Sequence, residues 1–257
     1  MKYDKNHALL ECSIPGVPQK SGKVRDVFDL GDKLLMVVTD RISAFDVILP
    51  SGVPDKGKVL NQLSLFWMEF LGMKNHLITA NVDEYPEILQ PYKEDLRCRS
   101  MLVKKVEMVE VECIARGYLT GSGWKEYQKS QTVNSQPLRA GYQNASKLDE
   151  GLFTPTTKAE IGGHDEAISV ADMARQTGDE LANALKDASI SCYTRAADYA
   201  RQHGIIIADT AAIATASHSV SIAYPFPNSA ISADRRNKGV PASRLRKFTC
   251  SAAASPK

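Results

Sequence analysis

None of the five cysteines (Cys12, Cys98, Cys113, Cys192 and Cys250) pairs with another as CxxC. An odd count at wide spacing fits reduced cytosolic thiols better than a disulfide framework. The five histidines (His7, His76, His164, His203 and His218) show no metal-ligand spacing, which argues against a zinc site. No apolar run approaches the roughly 18 residues that a membrane span needs. The first twenty residues, MKYDKNHALLECSIPGVPQK, have short apolar pieces broken by acids, unlike a secretory signal. The expected location is therefore the cytoplasm. A formal charge of only +2 over 257 residues makes no argument for a nucleic-acid partner. The GxxxxGK[ST] phosphate loop is missing, as are the catalytic-loop and Asp-Phe-Gly signatures of protein kinases.

What is present reads as a soluble globular chain, 43% hydrophobic and 24% charged. The near-neutral total hides an asymmetry. Residues 1–210 carry 25 Lys/Arg against 29 Asp/Glu, whereas residues 211–257 carry seven against one, Asp234. KVRDVFDL-GD-KLLMVVTD predicts a hairpin over residues 23–40. KVLNQLSLFWMEFL predicts a helix whose apolar face holds Val59, Leu60, Leu63, Phe66, Trp67 and Phe70. SMLVKKVEMVEVECIAR predicts ten or more residues of strand, bent into two near Val109 to Val111. Residues 131–163 show little periodicity and read as a binding or lid loop. Asp179 to His203 predicts a long helix with Gly204 past its end. The sum is an α+β fold in two lobes with ligands between them.

Four segments carry groups suited to a polar substrate, and each has a plainer reading. In SGKVRD, Gly22 offers close backbone approach and Lys23 and Arg25 offer cations, as a phosphate clamp requires. The plainer reading is a hairpin with a solvated charged face. In VTDRISAFDV, Asp40, Arg41, Ser43 and Asp46 follow a hydrophobic strand, where ligand groups are well placed. The alternative is a turn in which Asp40 and Ser43 accept from backbone amides. In ECIARGYLTGSGW, Arg116 and Ser122 with Gly117, Gly121 and Gly123 suit an anion receptor. Otherwise Arg116 pairs with Glu112 and the glycines merely turn the chain. FTPTTKAEIGGHDE concentrates Thr156, Thr157, Lys158, Glu160, His164, Asp165 and Glu166, which suits either a polar-substrate site or solvated surface.

Taken in order, SGKVRDVFD, TDRISAFDV, KGKVLNQLSLFW, VECIARGYLTGSGWKEY, LFTPTTKAEIGGHDE and GIIIADT resemble the phosphoribosylaminoimidazole-succinocarboxamide synthase (SAICAR synthase) family over about residues 16–210. The resemblance implies a two-lobed α+β fold related to ATP-grasp and kinase-like lobes. It implies a carbon–nitrogen ligase of de novo purine synthesis. The ligase joins L-aspartate to carboxyaminoimidazole ribotide, consuming ATP with Mg2+ and releasing ADP and phosphate. The carboxylate becomes an acyl phosphate before the amine attacks, because a carboxylate is a poor electrophile until one oxygen is a leaving group; cations offset the charge meanwhile.

Position by position, the resemblance places Gly22, Lys23 and Arg25 over the ATP phosphates and Lys104 at the nucleotide. It places Asp46 in the ribotide and aspartate pocket, with Lys158 where the family closes over its substrates. Arg116 and Ser122 grip the ribotide 5′-phosphate, and Asp209 opens the metal-site strand. It divides the chain into a nucleotide-binding lobe at 1–110, a ribotide and aspartate lobe at 111–210, and a basic tail at 211–257 outside the family pattern, expected to be disordered.

Beyond Asp209 the sequence departs from the family. Ala211 stands where the family has lysine and Ile213 where it has glutamate. The family's later Asp-Glu pair and its Asp-x-Ser-Arg segment have no counterpart. This predicts an aberrant or incomplete C-terminal part, and the compositional break at residue 211 is what a shifted reading frame would produce. The alternative function is a family member that binds nucleotide or ribotide without turnover.

Overall fold

The computed structural model describes residues 1–44, 47–157, 166–215 and 231–233 of the chain. Two short strands, β1 (Lys2–Tyr3) and β2 (Leu9–Glu11), pair ahead of the first sheet. That sheet contains β3 (Gln19–Ser21), β4 (Arg25–Asp29) and β5 (Lys33–Val38). A small ribbon follows, β6 (Ser43–Ala44) with β7 (Val47–Ile48), and then helix α1 (Lys56–Leu71). The chain adds β8 (Leu77–Thr79), the short helix α2 (Lys93–Leu96) and β9 (Ser100–Lys104). All five sheet strands are antiparallel, in the order β3-β4-β5-β9-β8. Alternation makes them: β4 buries Asp26 and Phe28, and β5 buries Leu35 and Val37, against Leu9, Leu89, Leu96 and Leu102.

The strand run predicted from residue 100 onward is, as expected, divided into two strands. β9 ends at Lys104 and β10 (Met108–Tyr118) begins four residues later, so the break lies before Val109 rather than at Val109 to Val111. β10 is the spine of the second sheet. It is followed by helix α3 (Gly121–Ser130), a ribbon of β11 (Thr132–Val133) and β12 (Gln136–Pro137), then β13 (Lys147–Phe153) and β14 (Thr156–Thr157). β13 and β14 run along one edge of β10, with Phe153 opposite Ala115 and Thr156 opposite Glu112 in one register, which shifts between Arg116 and Tyr118 at the start of β13. Much of the stretch expected to lack structure is therefore strand. Helices α4 (Val170–Thr177) and α5 (Asp179–Gln202) come next, then β15 (Ile205–Ile207) and β16 (Asp209–Thr215). β16 lies antiparallel on the other edge of β10 and continues past the compositional break at 211. A last strand, β17 (Ile231–Ala233), pairs with β15.

Helix α1 joins the two halves. Its buried stripe is Gly57, Asn61, Ser64, Met68 and Leu71, whereas Val59 and Leu63 of the expected apolar face are exposed. The reason is close approach. A Cβ on Gly57 would lie 2.2 Å from the Val38 carbonyl oxygen, and Asn61 donates to the carbonyls of Cys98 and Ser100. Met68 packs on Met101 and Val103 of the first sheet. Leu71 packs in the second core with Val111, Phe153, Met173 and Leu185. Phe66, Trp67 and Phe70 meet Tyr199 of α5 with centroids 5.5, 5.9 and 4.6 Å apart.

Cys12, Cys113 and Cys192 are free and buried. Burial pushes the first two thiols up to about 12 and the third to about 11, so they are unreactive packing groups. Cys98 sits at a left-handed turn with φ +65°. No helix among the described residues is long and apolar enough to cross a membrane.

Candidate functional site

Register in the second sheet creates the first cluster. Arg116 of β10 stands directly opposite Asp209 of β16 and, on its other side, opposite Leu152. Its Nη1 lies 3.1 Å from Asp209 Oδ2, and its Nε donates to Thr154 Oγ1 at 2.9 Å. Arg116 and Asp209 side chains are only 12% and 21% exposed. Burial pulls the guanidinium down, and Asp209 partly offsets that. Burial raises the Asp209 carboxyl, and Arg116 partly restores it. Each charge is thus the other's main compensation in a half-dry setting.

Close approach shapes this corner. Tyr193 of α5 donates to the Ile207 carbonyl at 2.9 Å, and its hydroxyl would lie 1.8 Å from a Cβ on Gly117. Five residues after Arg116, α3 begins at Gly121 (φ +56°) without a side-chain cap. Ser122 is exposed in its first turn. An arginine on one strand with a hydroxyl and uncapped amides at the following helix start is a competent anion receptor. Asp209, rather than Glu112, is the ion-pair partner of Arg116. Thr154 was not anticipated, although it lies within the FTPTTK segment. Nearby, the Thr156 hydroxyl is buried without a hydrogen-bond partner among the described residues.

The second cluster sits at the start of β4. Gly22, Lys23 and Arg25 form the turn between β3 and β4, closed by Gly22 N–H donating to the Arg25 carbonyl at 2.7 Å. Gly22 and Lys23 are exposed and Arg25 is half-buried. Gly22 has no positive φ, and a Cβ there would meet only the Arg25 carbonyl oxygen, at 3.4 Å. The turn is held instead by residues after β5. Arg41 is 8% exposed and binds three carbonyls of the turn, and Thr39 binds the fourth. Asp40, fully buried, accepts from the amides of Leu9 and Gly57 and pairs with Arg99 at 3.0 Å. For Asp40 the plainer sequence reading holds, and its carboxylate supplies the first-turn acceptor that α1 lacks from its own cap residue, Asp55.

Lys104 lies elsewhere. Arg25 pairs with Val38 at one end of β5, and Lys104 pairs with Lys33 at the other. Five residues of strand separate them, roughly 17 Å at the usual rise. An extended ligand along the sheet can meet both; a compact one cannot. Asp46 and Lys158 lie outside the described residues. Among the described residues, no group of three or more His, Cys, Asp or Glu is placed to hold a metal. Asp209 is committed to Arg116, so it does not offer the oxygen-rich set that Mg2+ requires. A cavity of about 380 Å³ is lined by Glu11, Cys12, Gln19, Ser21, Asp26 and Arg41. Its polar groups are largely paired: Gln19 donates to the Cys12 carbonyl and to Ser21 Oγ.

Comparison with known proteins gives a consistent result. Residues 19–212 match the family described as SAICAR synthetase. A phosphoribosylaminoimidazole-succinocarboxamide synthase from Syntrophobacter fumaroxidans is 52% identical over 205 residues, covering 79% of this chain and 68% of that one. The enzyme of that name from Desulfatibacillum aliphaticivorans is 52% identical over 206 residues, covering 79% and 69%. Among solved structures, the Saccharomyces cerevisiae SAICAR synthase complexed with SAICAR superposes with a TM-score of 0.80 at 35% identity, covering 87% of this chain and 79% of that one. With three quarters of its length matched and the α+β architecture shared, the chain belongs to the SAICAR synthetase family.

Proposed function

We propose that the chain catalyses ATP-dependent ligation of L-aspartate to carboxyaminoimidazole ribotide, forming SAICAR, ADP and phosphate. The observation that carries this reading is the match of residues 19–212 to the family. The two polar clusters support it. The turn Gly22–Arg25 presents cations at one end of the first sheet, and Lys104 stands at the other end, a span that suits phosphates at one end and the base at the other. Arg116, with the start of α3 and Ser122, suits the ribotide 5′-phosphate. Residues 1–110 are then the nucleotide lobe and 111–210 the ribotide and aspartate lobe, although β10 runs across that boundary.

In this reading Lys23 and Arg25 offset charge on the transferring phosphoryl group, and Arg116 orients the ribotide so that its carboxylate meets that group. Asp209 holds the Arg116 fork in place across the strand pair. Asp46 and Lys158 are assigned to the aspartate and carboxylate end by family resemblance alone. Mg2+ enters as the counter-ion expected of a nucleoside triphosphate, which neutralises phosphate charge when bound. A cytoplasmic setting is expected for such a reaction.

The test is ADP release from the purified chain with ATP, Mg2+, the carboxylated ribotide and aspartate, each omitted in turn. The expected result is release that needs both the ribotide and aspartate. Release that persists without the ribotide contradicts the reading.

A further inference from the structure

Arg41 is buried with its guanidinium beneath an exposed turn, and the ligation chemistry assigns it no role. Its contacts are unusually convergent. Nη2 donates to the Gly22 carbonyl at 2.8 Å and the Arg25 carbonyl at 3.1 Å, and Nε donates to the Lys23 carbonyl at 3.1 Å. Nη1 donates to the Leu10 carbonyl at 2.6 Å. Asp26, itself 1% exposed, binds the same fork at 2.9 and 3.2 Å and balances its charge. The remaining carbonyl of the turn, Val24, accepts from the amide and the hydroxyl of Thr39 at 3.1 and 2.9 Å. All four carbonyl oxygens from Gly22 to Arg25 are therefore drawn toward residues 39 and 41.

That orientation has an electrostatic consequence. Carbonyl oxygens carry partial negative charge, and a phosphate beside an untethered turn would be repelled by any that faced it. Only a planar fork with several fixed donors can hold four carbonyls and a carboxylate at once; a lysine ammonium is a single point with three donors. We propose that Arg41 is a positioning residue for anion binding: by turning the Gly22–Arg25 carbonyls inward, it makes the turn compatible with the phosphates of a nucleotide. This rests on the reading of that turn as the phosphate-covering element.

The experiment compares ADP with adenosine as probes, by calorimetry on the full chain. The ratio of their affinities isolates the phosphate contribution from that of the base. Lys23→Ala tests the underlying reading, and Arg41→Lys tests the proposal, because it keeps a charge for Asp26 but loses the fork. Arg41→Lys is expected to weaken ADP about tenfold or more and leave adenosine within about twofold, as loss of charge-assisted contacts would. If Arg41→Lys fails to fold, Thr39→Val, which removes the hydroxyl that holds the Val24 carbonyl inward, is expected to lower the same ratio, and an unchanged ratio would overturn the proposal. Equal weakening of both probes would show a merely structural role and overturn the proposal. An unchanged ratio in Arg41→Lys, with a fall in Lys23→Ala, would overturn it too while leaving the phosphate turn intact. An unchanged ratio in Lys23→Ala would instead overturn the phosphate reading, and the proposal with it.

Discussion

His76 is 5% exposed, and its Nδ1 has no hydrogen-bond partner among the described residues. Burial depresses its pKa from 6.5 to about 4. Above pH 6.5 neither the folded nor the unfolded chain protonates this ring, so it costs nothing. As pH falls below 6.5, the unfolded chain takes up a proton that the folded chain refuses until about pH 4. Stability is therefore lost across that window, by about 2 kcal/mol between pH 7 and pH 5. Urea titrations of the parent and His76→Leu at the two pH values check this. The variant is expected to lose less stability on acidification, and equal losses would show that His76 is not a source. At this scale the sequence showed residue types but not pairings. Arg116 was legible as a charged residue at the end of a strand; its bond to Asp209 follows from a strand register between residues 93 positions apart, which no local pattern records. Arg41 and Asp40 were legible as a cluster after a strand. Their burial beneath the turn was not.

Between elements, the contact of α1 with α5 bears most directly on how the two sheets are held together. The last turn of α1 has no cation of its own. Arg195 of α5 supplies one, donating to the Leu71 carbonyl at 2.7 Å and the Phe70 carbonyl at 3.2 Å. A cation at a helix C-terminus and two charged hydrogen bonds at a partly exposed site contribute about 1 kcal/mol. Arg195→Ala should lower the melting temperature by about 2–4 °C for a chain of this size. Scanning calorimetry reads it, and no shift would mean that the aromatic packing of Phe66, Trp67 and Phe70 on Tyr199 carries the contact alone. Elements with a clean period were legible, α5 above all. β13 was not, because KLDEGLF exposes its middle and buries only Leu148, Leu152 and Phe153. α4 is short, with Met173 its single buried residue, and its start is set by a capping box of Ser169 and Asp172.

At the scale of the whole molecule, two antiparallel sheets share one bridging helix, and each carries one of the polar clusters. The ordered run of motifs made the family legible before any contact was known, because six segments follow the family's order over most of the matched residues 19–212. The C-terminal part was less legible. Ala- and Ser-rich composition after residue 211 concealed that β16 continues to Thr215 along β10. In the proposed reaction, a carboxylate on the ribotide is activated by phosphoryl transfer before aspartate attacks. The most direct test of that step is to supply ribotide labelled with 18O in that carboxylate and examine the phosphate released. An acyl phosphate leaves with one carboxylate oxygen, so labelled phosphate is the predicted result. Unlabelled phosphate, with ADP formed at the same rate, would mean that water cleaves the ATP and that no acyl phosphate forms on the ribotide.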